Sequence, residues 1–199
     1  MEINIRTDFK GIEKKLDSLS AELQVKVIPA ALNKVAAKAN TEMTRAIGSE
    51  FNLKASEIRG ALKLRRAERK LEKWFATLEP ISTSRRGGSL NMIRFLEKKV
   101  SLTEARLRKK NGTQNQLQFQ VLKQGGKKTI TGAFIANNGR TVFVRTSKDR
   151  LPIRAVQTIG IGQMFNTKRV QSRVIERINR ELPVEIERAI TAAMNGVFK

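Results

Sequence analysis

Residues 117–145 read LQFQVLKQGGKKTITGAFIANNGRTVFVR, and this stretch decides the fold class. Leu117, Phe119 and Val121 alternate with Gln118 and Gln120, the period-two pattern of a half-buried strand. Gly125-Gly126 then offers a tight reversal. The run Ile130 to Ala136 is joined to Thr141 to Arg145 through Asn138-Gly139, a pair whose tolerance of positive φ suits a type I′ turn. The reading is a three-stranded antiparallel meander over about 117–146, with a weaker strand after Pro152 through Ile153, Val156 and Ile159, before the Gly160-Ile161-Gly162 break.

Outward from this centre the pattern changes to helical. Toward the C-terminus, Val170, Val174 and Ile178 step by four, followed by Leu182, Ile186, Ile190 and Met194 before Gly196; Pro183 should kink or divide this long helix. On the other side, Ile3 and Ile5 suit a short leading strand. Asp8 can cap a helix carrying Phe9, Ile12, Leu16, Leu19 and Leu23. Pro29 opens or kinks a second helix with Leu32, Val35, Ala36, Ala39, Met43 and Ile47 on one side, ended by Gly48. Its small residues permit close approach to another helix or subunit, although both stripes also read as ordinary core. Ser56, Ile58 and Leu62 suggest a short helix running into Arg65 and Arg66. After it, Trp74, Ala76 and Leu78 alternate with Phe75 and Thr77 in a strand covered on both faces. Ser82 to Gly88 has turn formers and charge but nothing to bury, and Leu90 to Leu107 mixes a capping-box signal at Ser101 and Glu104 with strand formers, so it stays unassigned. The layout is an α+β chain: N-terminal amphipathic helices, a mostly antiparallel sheet and a long C-terminal helix, one domain over 1–199 with mobile basic loops near 82–89 and 108–115.

The composition narrows what such a fold can do. Forty Lys and Arg against eighteen Asp and Glu give a formal charge of +22, which repels itself unless an anionic neighbour is close. Nucleic acid is the first candidate, because guanidinium groups fit phosphate geometry; a purely solubilising charge is the alternative. The chain has no Cys and no His. That removes thiol nucleophiles, thiolate metal sites, the commonest general base and the commonest transition-metal ligand. No carboxylate cluster of the kind a metal-dependent nuclease needs is visible, so the reading is a non-enzyme without cofactors. No apolar run reaches membrane-spanning length, and Met1 to Lys10 lacks the basic-then-apolar order of a secretory signal, so synthesis and folding in the cytoplasm are expected.

Two glycine patterns fail as nucleotide sites. Gly125-Gly126-Lys127-Lys128-Thr129 would need a glycine at position 121, where Val121 stands, so a decorated hairpin turn fits better. Gly160-Ile161-Gly162 lacks a third glycine at dinucleotide-loop spacing and reads as a bend. The charge itself concentrates at Arg106, Arg108, Lys109 and Lys110, with Arg85, Arg86, Lys98 and Lys99 earlier in the same weakly patterned region; Arg65, Arg66, Lys127 and Lys128 complete the candidates for DNA-facing or acidic-partner-facing residues. Phosphate contacts from such residues give salt-dependent affinity without sequence preference. No zinc-finger, basic-zipper or aromatic RNA-binding signature accompanies them. A solvated charge run, or a patch for an acidic protein, stays open beside the DNA reading.

Four strings in order carry a family resemblance: Ala31-Leu32-Asn33-Lys34-Val35-Ala36; Gly132-Ala133-Phe134-Ile135 ahead of Asn138-Gly139-Arg140; Arg150-Leu151-Pro152-Ile153; and Glu181-Leu182-Pro183. Over about residues 10–195 the chain resembles the phage minor tail protein Z family, the tail-completion proteins of lambda-type long-tailed phages. The resemblance implies a virion protein at the head-proximal end of the tail, preparing it to join a filled head and receive the DNA end. It also implies tail terminator or tail tube proteins and head-completion proteins as partners, and a homo-oligomeric, sixfold ring. No catalytic residues come with it. The stretch from Lys98 to Asn115 departs from the expected pattern in being less densely basic and containing Glu104. A free, sequence-independent nucleic-acid-binding protein is the alternative function.

Overall fold

The computed structural model describes residues 3–6, 20–70, 73–81, 88–97 and 117–196. The helix expected from Asp8 through Leu19 lies outside these residues, as do Ser82 to Gly87 and Lys98 to Gln116. What is described is a mixed α+β fold, with a long helix toward each end and short antiparallel strands between them.

Strand β1 (Ile3–Arg6) is the leading strand expected from Ile3 and Ile5. Helix α1 (Ala21–Glu50) starts upstream of Pro29, at Ser20, whose hydroxyl accepts the Leu23 N–H at 3.4 Å. Pro29 therefore neither opens the helix nor ends it. It removes one backbone hydrogen bond, and the burial of Val27, Ala31, Leu32 and Val35 around it outweighs that loss. Gly48 does not stop the helix either. It runs on to Glu50, where the Phe51 N–H donates to Ile47 O at 2.8 Å and the Phe51 ring enters the core.

Helix α2 (Ala55–Gly60) is shorter than expected. Leu62 and Arg65, Arg66 beyond it belong to strand β2 (Leu62–Lys70), because Leu62 and Leu64 turn inward in strand alternation while Ile58 alone anchors the helix. Strand β3 (Lys73–Pro80) lies between β1 and β2, antiparallel to both, and its successive residues Ala76, Thr77 and Leu78 are all buried, so both faces are covered. The register of β2 slips between Arg65 and Glu68, a bulge that turns the Ala67 N–H toward α1, where Asn33 Oδ1 accepts it at 2.8 Å.

Beyond β3 come strand β4 (Leu90–Asn91), a 3₁₀ turn (Met92–Phe95), β5 (Gln118–Phe119), β6 (Lys128–Thr129), β7 (Ala133–Ala136), β8 (Thr141–Arg145), β9 (Ile153–Ala155) and β10 (Gln157–Thr158). The pairing differs from the expected meander. β5 and β6 form their own hairpin, and the three-stranded sheet is β7-β8-β9. Gly132, at φ +72°, breaks the chain between β6 and β7, so Leu117 to Val121 is not its third strand. The turn from β7 to β8 is as expected: Asn138 and Gly139 have φ of 53° and 80°, and the Arg140 N–H donates to Asn137 O at 3.1 Å. Asn91 ties these pieces together, its Oδ1 accepting from Ile93 and Val142 N–H and its Nδ2 donating to Val142 O.

Helices α3 (Ile161–Phe165) and α4 (Lys168–Met194) close the fold. Helix α4 runs through Pro183 as one element, so the proline does not divide it. Val170, Val174, Ile178, Leu182, Ile186 and Ile190 are buried, but Met194 is 75% exposed. After several steps of four the 3.6-residue period requires a step of three, and Ala193 takes the inward position. Helix α1 packs against α4 on one side and against β2 and β3 on the other. Alanines 31, 36, 39 and 46, all fully buried, let these surfaces come close.

An ionic cluster fixes the α1–α4 register. Lys38 Nζ donates to Glu181 and Glu185 at 2.6 Å each, Arg188 reaches Glu185 at 2.6 Å, and Arg177 reaches Glu181 at 3.1 Å. Farther along α1, Ser49 meets Arg173, farther back along α4, so the helices run antiparallel. Hydrogen bonding to Lys38 holds both carboxyls below their ordinary range, against the opposing effect of desolvation, and the same bonds raise Lys38.

Candidate interaction surface

The basic residues singled out in the sequence fall into three situations. Arg65 projects from β2, where its Nε and Nη2 both contact Glu79 Oε1 at 2.8 Å. The carboxylate comes from β3 two positions along from the residue facing Arg65, the diagonal reach typical of antiparallel strands. Lys127 is likewise paired, with Glu97. Arg66 on β2 and Lys128 on β6 are exposed and make no ion pair among the described residues. Arg85, Arg86, Lys98, Lys99, Arg106, Arg108, Lys109 and Lys110 lie outside the described residues. The structure does not bring β2 and β6 into one sheet, so these four described cations form two separate sets.

What the structure does bring together is the roots of the basic segments. Glu97 and Leu117 are the described residues on either side of 98–116. The two sides are joined by Glu97 N–H donating to Gln118 O at 3.1 Å, Gln120 N–H donating to Phe95 O at 2.9 Å, and a bridge between Leu96 and Phe119. Phe95 and Phe119 are both fully buried there. Gly88, the first described residue after 82–87, has its carbonyl so close to Gly160 that a Cβ there would stand 2.0 Å from its oxygen. Gly88 and Glu97 border one open groove, together with Lys54, Arg94, Lys123 and Arg140. Arg94 is neutralised by Glu57, whereas Lys54, Lys123 and Arg140 make no ion pair among the described residues.

These groove cations were not singled out in the sequence, because they come from three distant segments and only the fold assembles them. The basic face of α4 was missed for another reason. Arg169 and Arg173 step by four beside Val170 and Val174 and are exposed, whereas Arg177, the next step, is committed to Glu181, so the signal was present in the same periodicity that marks the core. Chemically, this surface offers exposed guanidinium and ammonium donors to an anionic partner. Among the described residues no group of acidic side chains could hold a metal ion. Nor does any helix among them have the length and apolarity to cross a membrane.

Comparison with protein families supplies the biological setting. The family model for prophage minor tail protein Z matches residues 9–198. The chain belongs to the prophage minor tail protein Z family. No curated protein and no solved structure matches it. Minor tail protein Z is a structural component of the phage tail and not a known enzyme family, which gives the chain a virion setting among other virion proteins.

Proposed function

We propose that this chain completes the head-proximal end of a long-tailed phage tail, making the tail competent to join a filled head and to position the DNA end. The match to minor tail protein Z over residues 9–198 carries the reading. The charge of +22 and the rooting of two basic segments on one groove support it, since the head-proximal opening is where a tail meets the genome. The chain then acts as a homo-oligomeric, sixfold ring beside tail terminator or tail tube proteins and head-completion proteins. Its basic loops contact genome DNA without sequence preference. Electron microscopy of tails carrying a gold-labelled tag on this chain tests the location. Label at the head-proximal end is expected, and label at the tip or along the shaft would refute the proposal.

A second reading, a free sequence-independent nucleic-acid-binding protein, draws on the unpaired groove cations. It requires the chain to be absent from purified virions, which mass spectrometry of particles decides.

A further inference from the structure

Residues 145–154, from the end of β8 to the start of β9, are exposed without interruption. Such a run would ordinarily be a loose loop, yet this one is braced from within. Thr146 donates to Pro152 O twice, from its N–H at 3.3 Å and its hydroxyl at 3.0 Å, and the Asp149 N–H donates to Ser147 Oγ at 3.2 Å. The Arg145 guanidinium donates to the carbonyls of Asp149 and Arg150 while lying 5.2 Å over the Phe134 ring, which itself stacks on Phe143. The charge of Arg145 is thereby used to shape the hairpin. Lys148, Arg150 and Arg154 make no ion pair among the described residues, and Asp149 is the one acidic residue of the run.

Apolar side chains stand among these cations. Leu151 is 66% exposed and Ile153 36%. A single exposed leucine needs no explanation by itself, but here it stands with Ile153 on a braced loop among three cations, and a contact with phosphates would use only the cations. A braced loop that carries an exposed leucine among free positive charges, held in one shape before binding, has the character of a protein-docking element whose ordering cost is already met.

We propose that the 145–154 hairpin is a docking finger that seats Leu151 in an apolar pocket on an acidic surface of a tail protein, with Lys148, Arg150 and Arg154 on the rim. The free cations Lys148, Arg150 and Arg154 favour an acidic tail-protein surface over a second copy of this +22 chain, whose copies in the proposed ring meet through other faces. The proposal depends on the tail reading above for the identity of the assembly that bears the pocket.

The test uses the full chain and tails assembled without it, measured by co-sedimentation, with a 30-base-pair duplex as the competing probe. Leu151→Ser and Arg150→Glu each change exposed side chains, and their unfolding midpoints show that the fold is kept. Each is expected to weaken tail binding at least tenfold, and Leu151→Ser should leave duplex binding unchanged. Wild-type binding to tails that both variants retain overturns the finger while leaving the tail reading intact. Loss of duplex binding in Leu151→Ser with tail binding retained makes the hairpin a nucleic-acid element and overturns it as well. Wild-type chain that does not bind such tails overturns both proposals together.

Discussion

Asn33 on α1 accepts the backbone N–H of Ala67 through its Oδ1 at 2.8 Å, and so secures the bulged edge strand of one sheet to the central helix of the fold. The bulge in β2 takes that N–H out of the ladder, and a partly buried donor without a partner costs about 1–3 kcal/mol. Asn33→Leu keeps the side chain's size and removes the acceptor. It should lower unfolding stability by about 1–2 kcal/mol, read as a reduced urea midpoint with an unchanged slope. An unaltered midpoint would mean that water serves Ala67 equally well.

The Lys38 cluster predicts a two-sided pH profile. Glu181 and Glu185 have lowered pKa values, so the stability they contribute is present above the ordinary carboxylate value of about 4.3 and is lost as pH falls below it. Lys38 is raised, so its contribution holds through neutral pH and is lost only as pH rises beyond the ordinary value of 10.5. Lys38→Met should cost about 1–2 kcal/mol at pH 7, less than a fully buried pair because Lys38 is partly exposed. The variant should also flatten the decline that begins at about pH 5 and continues below it. Parallel pH profiles for the variant and the wild type would contradict the assignment.

Gly160 has no room for a side chain. A Cβ would stand 2.0 Å from the Gly88 oxygen and 2.6 Å from its carbonyl carbon, both backbone atoms that cannot rotate away. Gly160→Ala should cost about 2–3 kcal/mol and loosen the strand pair that holds Leu90 and Thr158 together. Amide exchange checks this: faster exchange at β4 and β10, with α1 and α4 unaffected, is the expected pattern. Uniform loss of protection would show that the corner is not a separate unit.

The proposed contact with DNA is testable at the groove cations. Replacing Lys54, Lys123 and Arg140 by Gln should reduce the slope of log affinity against log salt for duplex DNA by about 2 to 3, one contact for each cation removed. Thermal stability should not change, since none of the three is ion-paired among the described residues. Fluorescence anisotropy across a salt series measures the slope, and an unchanged slope would remove the groove from DNA contact.

Much of this architecture is legible in the sequence, and the limits have physical reasons. The helix stripes of α1 and α4 are written in apolar spacing, and Asn138-Gly139 marks its turn because few other residues accept positive φ at both positions. Pro29 and Pro183 misled because a proline's local cost is certain while the tertiary burial that offsets it is not visible locally. Leu62 fits helix spacing from Ile58 and strand alternation with Leu64 equally well, and only its pairing partner Pro80 decides between them. The pairing of β5 with β6 in place of β7 depends on a break at Gly132 whose φ the sequence does not specify. The interaction surface was the least legible part. Arg65 and Lys127 look free in sequence but are neutralised by Glu79 and Glu97, whereas Lys54, Lys123 and Arg140 become neighbours only in the fold.

The most direct test of the central claim is the fraction of heads and tails that join when the phage is grown without this chain, counted by electron microscopy and restored by supplying the chain in trans. The account predicts filled heads and full-length tails accumulating unjoined, or joined particles that fail to deliver DNA, with recovery on complementation. Normal numbers of joined, infectious virions in its absence would contradict it.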